Sequence, residues 1–268
     1  MTRSTIHLVE EALQVGGREV SVLQGGKGAP ILVLPRDNGH APVSEFLERL
    51  ASQYTVYHPW YPGFHQGGDP MAWDWLTSTR DLAVVQLQLV KGLGLDRPTV
   101  IGLGFGGWIA AEMATMSPTG FEALVLVAPM GIQPTRDYIY DQFLVSTEAY
   151  ARRGFFDQAG FERVYGAEPA LEQLEAWETD REMTSRLAWK PYMYNPALPY
   201  LLSGVRCPTL VSWGDSDEVV PGECGQLYQS AIAGAHLKIV SNAGHAVDLE
   251  QPGRLADIVL KFLERVRS

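Results

Sequence analysis

The stretch Thr99-Val100-Ile101-Gly102-Leu103 passes straight into Gly104-Phe105-Gly106-Gly107, and it narrows the folds open to this chain more than any other feature. It reads as a strand without a polar side, and such strands belong to sheets covered on both faces. Trp108–Met116, which follows, is helical in character, and Ala123–Val127 is again an apolar strand. The same alternation runs along most of the chain. Pro30–Pro35 is an unbroken apolar run bounded by prolines, and Val43–Ser52 carries Phe46, Leu47 and Leu50 at helical spacing. Tyr54–His58 reads as a strand, and Trp75–Leu93 as a helix with Leu82, Val85 and Leu89 on one stripe. Thr209–Trp213 and Leu237–Val240 are strands, and Gly253–Val266 is a closing helix. At the start, Thr5–Leu13 and Arg18–Leu23 flank Val15-Gly16-Gly17 as a hairpin. The pattern predicts an α/β fold, a mostly parallel sheet with helices on both faces.

From Gly131 to Gly204 the alternation stops, and helical stretches rich in aromatics take over, among them Tyr138, Tyr150, Trp177 and Trp189. Lying between two sheet strands, this segment reads as a helical cap over residues 131–204, with residues 1–130 and 205–268 forming the core domain. Its aromatics serve either as the cap's own core or as a pocket lining, and Tyr138 and Trp189 are taken as lining, together with Trp60. The chain's 268 residues, 46% hydrophobic and 19% charged, are ordinary for a soluble globular protein. A formal net charge of −10 argues against nucleic acid and anionic membrane surfaces as partners. No run of about 18 apolar residues appears, so no membrane span is expected. Met1-Thr2-Arg3-Ser4-Thr5 leads into no apolar signal core, and a cytoplasmic location is the expectation. Cys207 and Cys224 have no metal spacing. No metal and no cofactor are expected; the partner expected is a small molecule, and a homo-oligomer stays open.

The junction Gly102-Leu103-Gly104-Phe105-Gly106 resembles the G-x-S-x-G nucleophile elbow of the α/β hydrolases in every position but the serine, where Gly104 stands. A dinucleotide-binding loop, the competing reading, needs different glycine spacing and an acidic residue about twenty positions later, where this chain enters an apolar strand. Two downstream segments extend the resemblance. Gly214-Asp215-Ser216-Asp217, ending at Pro221, is similar to the acid loop, and Asn242-Ala243-Gly244-His245 is similar to the catalytic-histidine loop. The order elbow, acid, histidine is the family's order. The resemblance implies that Asp217 orients His245. Asp215 competes for the acid role, Asp217 alternatively holds its own turn, and His245 alternatively is structural. His7 and His236 read as strand or surface residues, while His40, His58 and His65 fall near the mouth of the site.

Other positions depart from the family. Where its oxyanion loop carries His-Gly, this chain has Pro35-Arg36-Asp37, and Pro59-Trp60-Tyr61-Pro62-Gly63 is followed by Phe64-His65-Gln66. Changes at several positions around one site read as natural divergence rather than a single engineered substitution. Glycine at 104 closes the acyl-enzyme route, and Cys224, Ser216 and Ser241 lack the elbow's placement. The amide of Phe105, opening a helix, still offers an oxyanion site together with the Arg36 and Asp37 loop. Arg36 hints at an anionic substrate group. Three functions follow: a hydrolase or lytic enzyme using His245 as general base, a non-catalytic small-ligand binder, or a serine hydrolase inactivated at position 104.

Overall fold

The computed structural model describes residues 8–38, 45–65 and 67–268. His7, His40, Gln66, the first residues of the opening hairpin and the start of the helix expected from Val43 lie outside them. Strand β1 (Val9–Val15) turns through Gly16 and Gly17, at φ of 60° and 79°, into β2 (Arg18–Gly26). Two successive positive φ angles make the hairpin turn that matches strand twist, and glycine adopts them without strain. There follow β3 (Pro30–Leu34), α1 (Glu45–Ala51), β4 (Thr55–Pro59), α2 (Thr79–Gly92), β5 (Thr99–Leu103), α3 (Phe105–Met116) and β6 (Leu124–Val127). Helices α4 (Thr147–Arg153), α5 (Gln158–Tyr165), α6 (Leu171–Ala188) and α7 (Leu198–Leu201) come next. The chain ends with β7 (Thr209–Gly214), α8 (Glu223–Ala231), β8 (His236–Val240), α9 (Val247–Glu250) and α10 (Pro252–Arg267).

The strands form one sheet in the order β1-β2-β4-β3-β5-β6-β7-β8. β2 pairs antiparallel with β1 and β4, and every other pairing is parallel. Helices cover both faces. Val100 and Leu124 pack with Leu82 and Leu89 of α2 and Ile109 of α3. Their neighbours Ile101 and Val125 point the other way, to Phe46 and Leu50 of α1 and Leu255 and Val259 of α10. That period of two, apolar on both sides, is why β5 and β6 read as unbroken apolar runs. Helix α2 starts four residues later than its periodicity suggests. Ser78 is extended and its hydroxyl caps the helix, accepting from the Asp81 amide at 3.2 Å.

The helical segment between β6 and β7 rests on the loops that leave the carboxyl ends of the strands. The Tyr150 hydroxyl donates to Asp37, just after β3, at 2.7 Å. The His65 amide, after β4, donates to Asp180 of α6 at 2.8 Å, and the Ala246 amide, after β8, donates to the Gly154 carbonyl at 2.8 Å. Phe155, Phe161 and Trp177 form a small core of their own with Ala246 and Leu249. Among the described residues no helix is long and apolar enough to cross a membrane.

Candidate active site

Between β5 and α3 the backbone turns at Gly104, with φ 52° and ψ −114°. A side-chain-bearing residue is strained there, whereas glycine is not. The flanking glycines answer to space instead. A Cβ on Gly106 would lie 2.3 Å from the Pro35 carbonyl oxygen, and one on Gly102 would lie 2.3 Å from that of Gly106. They let α3 press against β3 and β5. At Gly104 a Cβ would point at the His245 imidazole, 2.9 Å from Nε2, with Arg36 Cβ at 3.5 Å.

His245 sits in the loop after β8 and is buried, with its Nδ1 2.8 Å from Asp217 Oδ2. Asp217 holds its own turn as well: Oδ1 accepts from the amides of Val219 and Val220, both at 2.9 Å. One oxygen fixes the loop and the other faces the histidine, so the two readings of this aspartate are compatible. A carboxylate accepting the Nδ1 proton leaves the lone pair of the neutral ring on Nε2. Nε2 is buried and has no hydrogen-bond partner among the described residues. Asp215 lies outside this pair, accepting from the Asn242 amide and the Ser216 hydroxyl, each at 3.0 Å.

The Arg36 loop departs from expectation. The Arg36 guanidinium is buried against the Asp248 carboxylate, so it is not the free anion hook that the sequence suggested. A buried arginine keeps its charge, and Asp248, three residues beyond His245, neutralises it. Asp37 is engaged as well, its carboxylate accepting from the Tyr150 hydroxyl and, at 3.3 Å, from the Gln142 amide group. The Phe105 amide opens α3 and belongs to the first-turn donors that a helix leaves without an intrahelical acceptor.

Arg36, Tyr150, Phe155 and Tyr165 crowd His245, and the space left beside it is about 10 Å³, room for about one water. A far larger cavity, about 490 Å³, lies between the ends of β3 and β4 and helix α6. Trp60, Tyr61 and Phe64 wall it, Asp180 lines it from α6, and Asn38 borders both spaces. Tyr138 and Trp189 line neither: they are 71% and 57% exposed, and Trp189 packs edge-on against Phe143. An aromatic in the helical segment signals apolar contact, but its sequence does not say with what. His58 is buried in β4, bonded through Nδ1 to the Val33 carbonyl oxygen, and burial lowers its pKa to about 4. His236 is exposed in β8, and His65 reaches the larger cavity. Cys224 is buried and its thiol is pushed up to about 12, far from a nucleophile's range. Among the described residues no group of three His, Cys, Asp or Glu side chains is placed to hold a metal ion.

Two acids escaped the sequence reading. Asp180 is 1% exposed, and burial together with the nearby Asp37 raises its pKa to about 7. Its signal was its position, since Trp177, Asp180, Thr184 and Leu187 fall on one buried stripe of α6. Glu250 accepts from the amides of Gly244 and Phe156, both at 2.6 Å, and so ties the histidine loop to the helical segment.

Residues 31–258 match the Alpha/beta hydrolase family, and the chain belongs to it. It is 26% identical over 267 residues to 2-hydroxy-6-oxononadienedioate/2-hydroxy-6-oxononatrienedioate hydrolase 2 of Pseudomonas putida, covering 89% of each chain. To monoacylglycerol lipase abhd6-A of Xenopus laevis it is 24% identical over 200 residues, which span 68% of this chain and 59% of that lipase. The crystal structure of a membrane phospholipase A superposes with a TM-score of 0.81 at 23% identity, over 97% of this chain and 87% of that one. A meta-cleavage product hydrolase superposes with a TM-score of 0.78 at 18% identity, over 96% and 98%. At these identities the structural matches speak for the fold.

Proposed function

We propose that this member of the Alpha/beta hydrolase family acts on a small organic molecule by general-base catalysis, hydrolytic or lytic, without a covalent enzyme intermediate. In this reading residues 1–130 and 205–268 are the catalytic core, residues 131–204 are the cap, and position 104 is a nucleophile site that carries no nucleophile. The observation that carries it is the buried, unpartnered Nε2 of His245, held 2.8 Å from Asp217 on its other nitrogen and aimed at Gly104. Nε2 takes a proton from a water, or from the substrate itself, at the place where a serine hydroxyl would stand. Asp217 stabilises the imidazolium that results. Negative charge developing on the substrate faces the Phe105 amide at the start of α3, with the Arg36–Asp37 loop opposite. A positioned base of this kind supplies about 10²–10⁴-fold, so the substrate has to be an activated one. The named activities of the relatives, hydrolysis of a dienedioate and of monoacylglycerols, support the reaction class.

The test is turnover of p-nitrophenyl acetate. The protein is expected to release nitrophenolate steadily, without a burst, and His245→Ala and Asp217→Asn are expected to lose that rate while remaining folded by circular dichroism. A rate unchanged in His245→Ala excludes the mechanism. The cramped space beside His245 favours a second reading, in which the protein binds a ligand in the larger cavity and turns nothing over. Binding with no His245-dependent rate on any activated ester would decide for it.

A further inference from the structure

The 490 Å³ cavity beneath α6 has the size of a small-molecule site and a one-sided chemistry. Trp60, Tyr61 and Phe64 give it an aromatic wall, and Asp180 and Glu172 line it from α6. No lysine or arginine lines it among the described residues. The arginines next to lining residues in the sequence are engaged elsewhere, Arg36 with Asp248 and Arg181 with Glu178. Asp180 accepts one hydrogen bond, from the His65 amide, and the buried side-chain oxygen of Asn38 accepts none from the described residues. The lining also carries N–H donors, on Trp60, His65 and Gln173. What marks the site is therefore its charge, two acids with no lysine or arginine among the described residues, and the two acceptors on Asp180 and Asn38. Each buried acceptor left unmet costs stability. A ligand carboxylate would bring like charge to two carboxyls and leave those acceptors unmet. A ligand amine meets both conditions, and an aromatic body covers the wall.

We infer that this cavity binds an aromatic amine, whose N–H groups donate to Asp180 and Asn38 and whose rings pack on Trp60, Tyr61 and Phe64. The site adjoins the space beside His245, with Asn38 bordering both, and the inference stands whether or not His245 catalyses a reaction. It sets the chain apart from the dienedioate hydrolase it resembles, whose named substrate is a dicarboxylate. Asp180, with a pKa near 7, is mostly ionised at pH 8, where the matching is strongest.

Titration calorimetry of the full chain at pH 8 with tryptamine, tryptophol and indole-3-propionate tests this directly, because the three share one ring system and differ in the terminal group. Tryptamine is expected to bind at least about tenfold more tightly than indole-3-propionate, with tryptophol between them. Asp180→Asn should erase that preference and keep tryptophol binding. Ala176→Leu, which fills the cavity from the same helix, should abolish binding of all three and serves if Asp180→Asn does not fold. The inference is overturned if the carboxylate binds as well as the amine, if the preference survives Asp180→Asn, if Ala176→Leu still binds tryptamine, or if no probe binds at millimolar concentration.

Discussion

Gly104 occupies a turn that glycine adopts without strain, while the imidazole beside it stands where a side chain's first atoms would go. A serine placed there meets both difficulties together. Its backbone costs about 1–3 kcal/mol, and the His245 ring has to retreat while Asp217 holds its Nδ1. Gly104→Ser is therefore expected to lower the thermal midpoint by several degrees, at roughly 2–4 °C per kcal/mol for a chain of this size. A burst of nitrophenolate equal to the enzyme concentration would mean that the oxyanion amides are still in place, and a destabilised variant without a burst would mean they are not. A variant neither destabilised nor acylated would show that position 104 is no elbow. Arg36 is a second residue whose sequence context misleads. Read from the sequence it was a hook for an anion; in the fold its partner is Asp248, and 212 residues of chain separate the two. No local pattern encodes such a pair. Arg36→Ala strands a buried carboxylate and should cost about 3–5 kcal/mol in urea unfolding, part of which Arg36→Ala with Asp248→Ala recovers. Equal losses in the single and double variants would deny the coupling.

At the scale of elements, the junction of β5 and α3 separates strain from space. A Cβ at Gly106 would lie 2.3 and 2.4 Å from the carbonyl oxygens of Pro35 and Leu34, which are backbone and cannot rotate aside. Gly106→Ala must push α3 away from β3, at the upper end of the roughly 1–3 kcal/mol that overpacking costs or beyond it. Urea denaturation should find it less stable than Gly104→Ala, whose only close contact is the tip of a movable ring. The reverse order would mean that α3 is not locked to the sheet through this glycine. The elements that were plain in the sequence share one physical property. β3, β5, β6 and β7 are buried on both faces, so composition alone marks them. The segments of Gly104, Asp217 and His245, which the fold brings together, stood out equally in the sequence, because short motifs carry them. Pocket walls were not. Tyr138, Trp189 and Trp60 all read as lining, yet two are exposed and the third lines a cavity, since neighbours distant in the chain decide which face is covered.

Across the whole molecule, two buried groups with opposite pH dependence oppose each other. His58 has its pKa lowered from 6.5 to about 4 by burial, so between those values the unfolded chain takes up a proton that the folded chain refuses. Its contribution is complete above pH 6.5 and is lost as the pH falls toward 4, about 3 kcal/mol in all. Asp180 runs the other way. Raised from 3.8 to about 7, its carboxyl keeps a proton in the fold that the unfolded chain releases. Its contribution is complete below pH 3.8 and is lost as the pH rises through 7, about 4 kcal/mol by the same arithmetic. The two windows overlap from pH 4 to 6.5, where one loss offsets the other and flattens their joint effect on stability. Removing either group unmasks its opponent. Asp180→Asn keeps an oxygen for the His65 amide and removes the titration, so its advantage over the parent in thermal midpoint should grow from pH 4 to pH 7 and then level off. His58→Gln should be the less stable protein at pH 7, and that deficit should shrink steadily as the pH falls from 6.5 to 4. Scans of all three proteins across this range, read as differences at each pH, cancel the other titrating groups common to them. A constant difference for either variant would mean that its residue titrates in the fold at its ordinary value, and that burial does not set the charge of that group.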